Sequence, residues 1–187
     1  MICDLSQVTL VVSANDLPNL DQVTKHMLTL GGLLARVDDS QLASPTLSVE
    51  GAVGATITDV TSDSRAVQQG TLFCCLRGEQ HDGHDFAQGA VANGAVALLV
   101  DPRLNLDVPQ IITSDTRQMT GVLAAAFHDH PSRELTVVGI TGTNGKTTTA
   151  HMLGAILTQH GQRTTVLGTL SGTRTTPEAA ELQRTLA

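Results

Sequence analysis

The apolar positions of this chain change their spacing along its length, and the spacing predicts the elements. Between 71 and 113 short apolar runs stand between turn-forming residues: TLFCCL at 71–76, VALLV at 96–100 and QIIT at 110–113. Runs this short predict buried strands. DFAQGAVANGA at 85–95 predicts a helix between the first two. Met119, Val122, Leu123, Ala126 and Phe127 then fall at i, i+3, i+4, i+7 and i+8, the apolar stripe of a helix that faces a core. Asp115 stands where an N-cap belongs, and Pro131, just after His128, forbids further helix.

The pattern starts again after that proline. LTVVGIT at 135–141 is a near-continuous apolar run of the kind found inside a parallel sheet. A helix follows with Met152, Leu153, Ile156 and Leu157 expected on its buried side, and His160-Gly161 at its end. TTVLGT at 164–169 predicts another strand, and a further helix is expected from Pro177. Strands alternating with helices on both sides of the proline predict an α/β fold. We place a small N-terminal α/β domain over 1–132 and the start of a parallel-sheet domain over 133–187. The first fifty residues are less regular. Residues 21–30 carry Val23, Met27 and Leu30 at helical spacing, with Gly31-Gly32 as a stop, and 39–54 reads as a loop.

Composition narrows the function. Three Phe and no Trp or Tyr leave little to stack on nucleobases, and a net charge of -7 disfavours general binding to nucleic acid or anionic membranes. An anionic ligand would have to be held by a few local cations. No apolar run approaches the ~18 residues of a membrane span. The N-terminus, with Asp4 and no basic segment, lacks the form of a secretory signal, so a cytoplasmic location without membrane insertion is expected. Cys74 and Cys75 are adjacent and point to opposite faces of a predicted strand, which suits buried structural thiols and not a disulfide framework.

The most informative stretch is VVGITGTNGKTTTAHMLGAIL, 137–157. It reads as a strand, a glycine turn and an amphipathic helix, with a lysine and threonines where turn becomes helix. Glycine turns let backbone amides converge, and a helix start adds about half a positive charge, so the segment is suited to phosphate. The usual Walker spacing asks for glycine six positions before the lysine, where this chain has Ile140. The physical requirements are met by Gly142, Gly145, Lys146 and the Thr147 hydroxyl. The expected nucleotide-binding set is Gly142, Thr143, Asn144, Gly145, Lys146, Thr147 and Thr148. Lys146 and Thr147 are the candidate catalytic groups, and Thr147 the candidate ligand of Mg2+.

TGTNGKTTTA resembles the phosphate loop of the Mur ligases and of their folylpolyglutamate synthetase relatives. SDSRAVQQGTLFCCLRGEQHDGHDF, 62–86, is similar to the N-terminal uridine-diphosphate-binding domain of the Mur ligases that add the third residue of the peptidoglycan stem peptide, the MurE type. RTTPEAAELQ, 174–183, resembles a substrate loop of that type. The resemblance implies contacts to a UDP-muramoyl substrate from Ser62, Ser64, Glu79, Gln80 and His81, and to its peptide part from Thr175 and Thr176 with Arg174 beside them. Arg65 is divided between a diphosphate contact and an ion pair. The implied reaction consumes ATP with Mg2+ to join an amino acid to UDP-N-acetylmuramoyl-L-alanyl-D-glutamate through an acyl phosphate.

HDGHD at 81–85 offers metal-ligand residue types, His81 and His84 with Asp82 and Asp85, but in a glycine-containing turn with no further Cys or His nearby a turn followed by a helix cap at His84-Asp85 is the better reading. The 55 residues after Ser132 are too few for a complete ATPase domain, so the chain is expected to be inactive alone. Two other readings stay open: a non-catalytic UDP-sugar or nucleotide-binding module, and another P-loop ligase, either the Mur ligase adding the final dipeptide or a folylpolyglutamate synthetase.

Overall fold

The computed structural model describes residues 9–14, 27–37, 47–78, 80–168 and 177–187. In chain order the first elements are β1 (Thr9–Ala14), β2 (Leu28–Thr29), α1 (Leu30–Leu34), β3 (Ser48–Glu50), β4 (Thr56–Ile57), β5 (Asp59–Thr61) and β6 (Thr71–Cys74). Then come α2 (Ala87–Ala92), β7 (Ala95–Val100), β8 (Gln110–Ile112), α3 (Thr116–Phe127), β9 (Thr136–Ile140), α4 (Lys146–Gln159), β10 (Arg163–Leu167) and α5 (Ala179–Leu186). They form two compact units, one of Lys25–His130 with Ala179–Thr185, the other of Met1–Thr24 with Pro131–Glu178.

The larger unit is built on a five-stranded sheet in the order β3-β8-β7-β6-β5. β5 to β8 are parallel, and β3 adds an antiparallel edge with Val49 opposite Ile111. Side-chain alternation gives the sheet two apolar faces. Leu72 and Cys74 face a core shared with Leu30, Leu33, Met119, Leu123 and Phe127. Phe73 and Cys75 face the other, with Leu98, Val100 and the α2 residues Ala87 and Ala90. Burial pushes both cysteine thiols up to about 12, so they remain protonated and inert.

α3 follows its stripe. Met119, Leu123, Ala126 and Phe127 are buried, and the Asp115 carboxylate caps the helix by accepting from Gln118 N at 2.8 Å. Its other end is closed by Asp129 N donating to Ala126 O and His130 N to Ala125 O, with both residues at positive φ (61° and 57°) before Pro131. Gln110, 2 % exposed, fastens the loop before β8. Its amide oxygen accepts from Leu104 N, and its amide nitrogen donates to the carbonyls of Leu104 and Leu106.

Three early expectations are corrected. Gly31-Gly32 do not stop a helix; they lie inside α1, which starts at Thr29, whose hydroxyl accepts from Gly32 N. Burial of Leu30 and Leu33 on the core outweighs the low helix propensity of two glycines. Residues 39–54 are not all loop, because Ser48–Glu50 pairs along β8. Of the helix expected over 21–30, residues 21–26 lie outside the described residues, and Leu28–Thr29 is strand and not helix, paired with β4.

In the smaller unit β1 is the middle strand, antiparallel to β9 on one side and β10 on the other. Residues 9–14 therefore group with the segment after Pro131, and Ala179–Thr185 groups with the larger unit, so neither falls on the side of residue 132 on which the sequence reading placed it. β9 is an edge strand among the described residues, and its expected full burial is not found: Val137 is 39 % exposed. α4 also turns a different face inward. Ala150 and Gly154 are its buried residues, Leu153 and Leu157 are half-buried, and Met152 and Ile156 are exposed. Close approach decides this, since a Cβ on Gly154 would come within 2.9 Å of Val166 Cγ2. The smallest residues sit where helix and sheet are nearest.

Candidate functional site

The phosphate-loop candidates lie between the end of β9 and the first turn of α4. Gly142 and Gly145 both have positive φ, 151° and 79°. At Gly145, the residue preceding α4, nothing lies within 4 Å of where a Cβ would be. Backbone conformation and not crowding thus demands glycine there, at about 1–2 kcal/mol for any other residue, and the space over the loop stays open. No side chain caps α4. Gly145 O accepts the helix bond from Thr149 N at 2.9 Å.

The Lys146 ammonium turns back over this turn and donates to Gly142 O. A full positive charge, a helix start and two flexible peptide units are thereby gathered on one exposed loop. Lys146 and Thr147 are half-buried, whereas Thr143, Asn144 and Thr148 are exposed. The group fits the terminal phosphates of a nucleotide. Among the described residues no group of three or more His, Cys, Asp or Glu side chains could hold a metal.

The described substrate candidates gather at one end of the larger unit's sheet. β5 and β6 are parallel neighbours with Thr61 opposite Phe73, so the loops that follow them leave together at the carboxyl ends, where open α/β sheets bind ligands. Ser62 and Ser64 follow β5 and are half-buried; Gln80 and His81 follow β6 and are exposed. The His81 ring meets Phe86 edge-on, with centroids 6.3 Å apart. Arg65 is engaged locally, its Nε and Nη2 donating to the two Asp63 carboxylate oxygens at 2.9 and 2.8 Å. That is the ion-pair reading of this residue. Glu79, Arg174, Thr175 and Thr176 lie outside the described residues.

The cap expected at His84-Asp85 lies instead at Asp82. Asp82 organises the loop after β6: its Oδ1 accepts from His84 N at 3.0 Å and from the His84 ring Nδ1 at 2.5 Å. Asp101 N donates to the other ring nitrogen at 2.9 Å. Both nitrogens of His84 are occupied, which removes it as a metal ligand and fixes the ring with hydrogen on Nδ1. These bonds to His84, with Arg77 nearby, hold the Asp82 carboxyl below its ordinary value. Gly83 is required by packing, since a Cβ would lie 2.6 Å from Leu76 N. The D-G-H spacing of a capped turn was the available signal.

A parallel α/β sheet with ligand-type loops at its carboxyl ends, and a strand, glycine loop and helix with lysine at the turn, define a phosphate-loop α/β protein. Residues 56–159 match the model of the Mur ligase family, catalytic domain, and residues 140–187 that of the Mur ligase middle domain. The chain belongs to the Mur ligase family. It is 43% identical over 138 residues to the UDP-N-acetylmuramoyl-L-alanyl-D-glutamate--2,6-diaminopimelate ligase of Bacillus velezensis, covering 69% of this chain and 28% of that protein. The ligase of the same name from Listeria monocytogenes is 37% identical over 159 residues, covering 80% and 32%. Among solved structures, MurF from Acinetobacter baumannii matches with a TM-score of 0.50 and 26% identity over 73% of this chain and 29% of that one. The chain thus spans less than a third of the length of these relatives.

Proposed function

We propose that this chain carries the substrate-binding and phosphate-binding segments of an ATP-dependent ligase that adds the third amino acid to UDP-N-acetylmuramoyl-L-alanyl-D-glutamate. The names of the sequence relatives support 2,6-diaminopimelate as that amino acid. The N-terminal segment, 1–132, would hold the UDP-muramoyl peptide through Ser62, Ser64, Glu79, Gln80 and His81. Arg174, Thr175 and Thr176 would hold its peptide part. Residues 133–187 would hold ATP.

The observation that carries the reading is the Lys146 ammonium folded over the 142–145 turn at the uncapped start of α4. In the reaction a carboxylate oxygen of the dipeptide attacks the γ-phosphorus and ADP leaves. The amine of the incoming amino acid then attacks the acyl carbon, loses a proton, and inorganic phosphate departs with the carboxyl oxygen. No protein nucleophile is needed. Lys146 and the loop amides serve to orient the phosphates and to offset the charge that builds on them. Mg2+, held by Thr147 and phosphate oxygens, would supply further charge neutralisation when bound. We propose a cytoplasmic location, where ATP is supplied.

Titration calorimetry with a non-hydrolysable ATP analogue tests the reading. Lys146→Ala should weaken binding by about 10- to 100-fold, the equivalent of one hydrogen bond to a charged group, and leave affinity for the UDP-muramoyl dipeptide unchanged. Absence of analogue binding by the parent chain at millimolar concentration would refute it. The likeness to MurF keeps a dipeptide-adding ligase as the second reading. Competition between the UDP-muramoyl dipeptide and the corresponding tripeptide separates the two.

A further inference from the structure

The loop after β6 has little apolar packing of its own. Cys75 before it and Ala87 after it are buried, yet no described residue from 76 to 86 is. Gln80 and His81 stand exposed at its tip. A loop without core contacts keeps one position only where directional polar bonds hold it.

Two sets of bonds do so. The first is local: Gly78 N donates to His81 O at 2.9 Å, Gly83 N donates to Leu76 O at 2.8 Å, and Arg77 pairs with Asp82 as an antiparallel bridge. These give the tip its shape, but a shaped tip can still pivot about its two ends. The second set ties it to the neighbouring strand. Asp101 directly follows β7, and this loop takes both of its backbone groups. Asp101 N donates to His84 Nε2 at 2.9 Å, and Asp101 O accepts from Arg77 Nη2 at 2.8 Å. Arg77 lies before the tip and His84 after it, so the two ties together remove the pivot. An imidazole has hydrogen-bonding atoms on two edges, which lets His84 donate to Asp82 within its own turn while it accepts from Asp101. The His84 side chain is 10 % exposed and its bonds are shielded from water. Arg77, 61 % exposed, is the weaker tie.

We propose that His84, assisted by Arg77, is a positioning residue for the UDP-muramoyl peptide: by tying the loop after β6 to Asp101 at the end of β7, it holds Gln80 and His81 in the arrangement that meets the substrate. The role rests on the substrate reading above. Affinity follows the fraction of molecules whose loop is already in place, so cutting a tie weakens binding while the sheet and its cores persist.

Two substitutions at His84 separate this role from a merely structural one. Both are measured in the 187-residue chain, by calorimetry with the UDP-muramoyl dipeptide and by amide exchange at Asp101. The amide of His84→Asn takes the place of Nδ1 and keeps the bond to Asp82, but it is too short for Asp101. That of His84→Gln takes the place of Nε2 and keeps the bond from Asp101 N. His84→Gln should leave the Asp101 amide protected and dipeptide affinity within about 2-fold of the parent. His84→Asn should unprotect that amide and weaken dipeptide binding by about 3- to 10-fold, the loss of one hydrogen bond. Arg77→Ala, which removes an exposed side chain and leaves the core alone, should weaken it by about 2- to 5-fold. Dipeptide binding by His84→Asn as tight as that by His84→Gln would overturn the positioning role, as would an unprotected Asp101 amide in the parent. Should neither His84 variant fold, equal dipeptide affinity in the parent and Arg77→Ala would overturn it. A parent chain that protects Asp101 but does not bind the dipeptide would overturn the substrate reading, and with it this role.

Discussion

Asp82 shows how much one side chain can set. Its carboxylate caps a turn through His84 N, orients the His84 ring and, through that ring, ties the loop to Asp101. Because its folded-state pKa lies below the ordinary 3.8, the folded protein holds on to the charged form more strongly than the unfolded chain does. The stability this adds is fully present above 3.8 and is lost as pH falls through the depressed folded value. Asp82→Asn keeps an oxygen for the cap but not the charge. Parent and variant should therefore differ in urea midpoint by a constant gap down to about pH 4, and the gap should close below that. A gap that widens on acidification would contradict the assignment. HDGHD was legible as a capped turn, but the cap expected at His84-Asp85 is Asp82, because the two aspartates are equivalent in composition and differ only in where the chain bends.

At the scale of elements, α3 was readable almost to the residue. Its stripe, its N-cap and its proline stop are local features, and they agree with one another. The end of the helix adds a point the pattern did not carry: Asp129 occupies the left-handed region at φ 61°, where glycine has no steric cost. Its ion pair with Arg36 spans 3.8 Å between exposed side chains and adds little. Asp129→Gly should therefore stabilise the protein by about 0.5–1 kcal/mol, read as a higher urea midpoint at unchanged slope. α4 is the opposite case. The spacing pointed to Met152, Leu153, Ile156 and Leu157 as its buried side; the close fit of Gly154 to Val166 turned the side of Ala150 and Gly154 inward instead and left Met152 and Ile156 outside.

The whole molecule consists of two units with unequal cores. The larger buries both faces of its parallel sheet. In the smaller, the buried apolar residues among those described are few, among them Val11, Ala150 and Leu167. Local stability follows buried apolar contact, so amides of β6 and β7 should exchange most slowly and those of β9, β10 and α4 considerably faster. Hydrogen-exchange mass spectrometry would show this, and stronger protection in β9 than in β7 would refute it. The amino-acid sequence by itself determined the α/β class and the strand, glycine turn and helix over 136–159, because each rests on neighbours a few residues apart, whose spacing and turn chemistry are written locally. Only the tertiary structure decided that Thr9–Ala14 lies between β9 and β10, that α5 docks on the larger unit, and that the Ser62 and His81 loops share one end of a sheet. Those arrangements join residues more than 120 positions apart, Leu10 with Leu167 and Arg184 with Asp59 among them, and strand pairing and helix docking over such distances are settled by which surfaces fit and bury one another, a property no local pattern encodes.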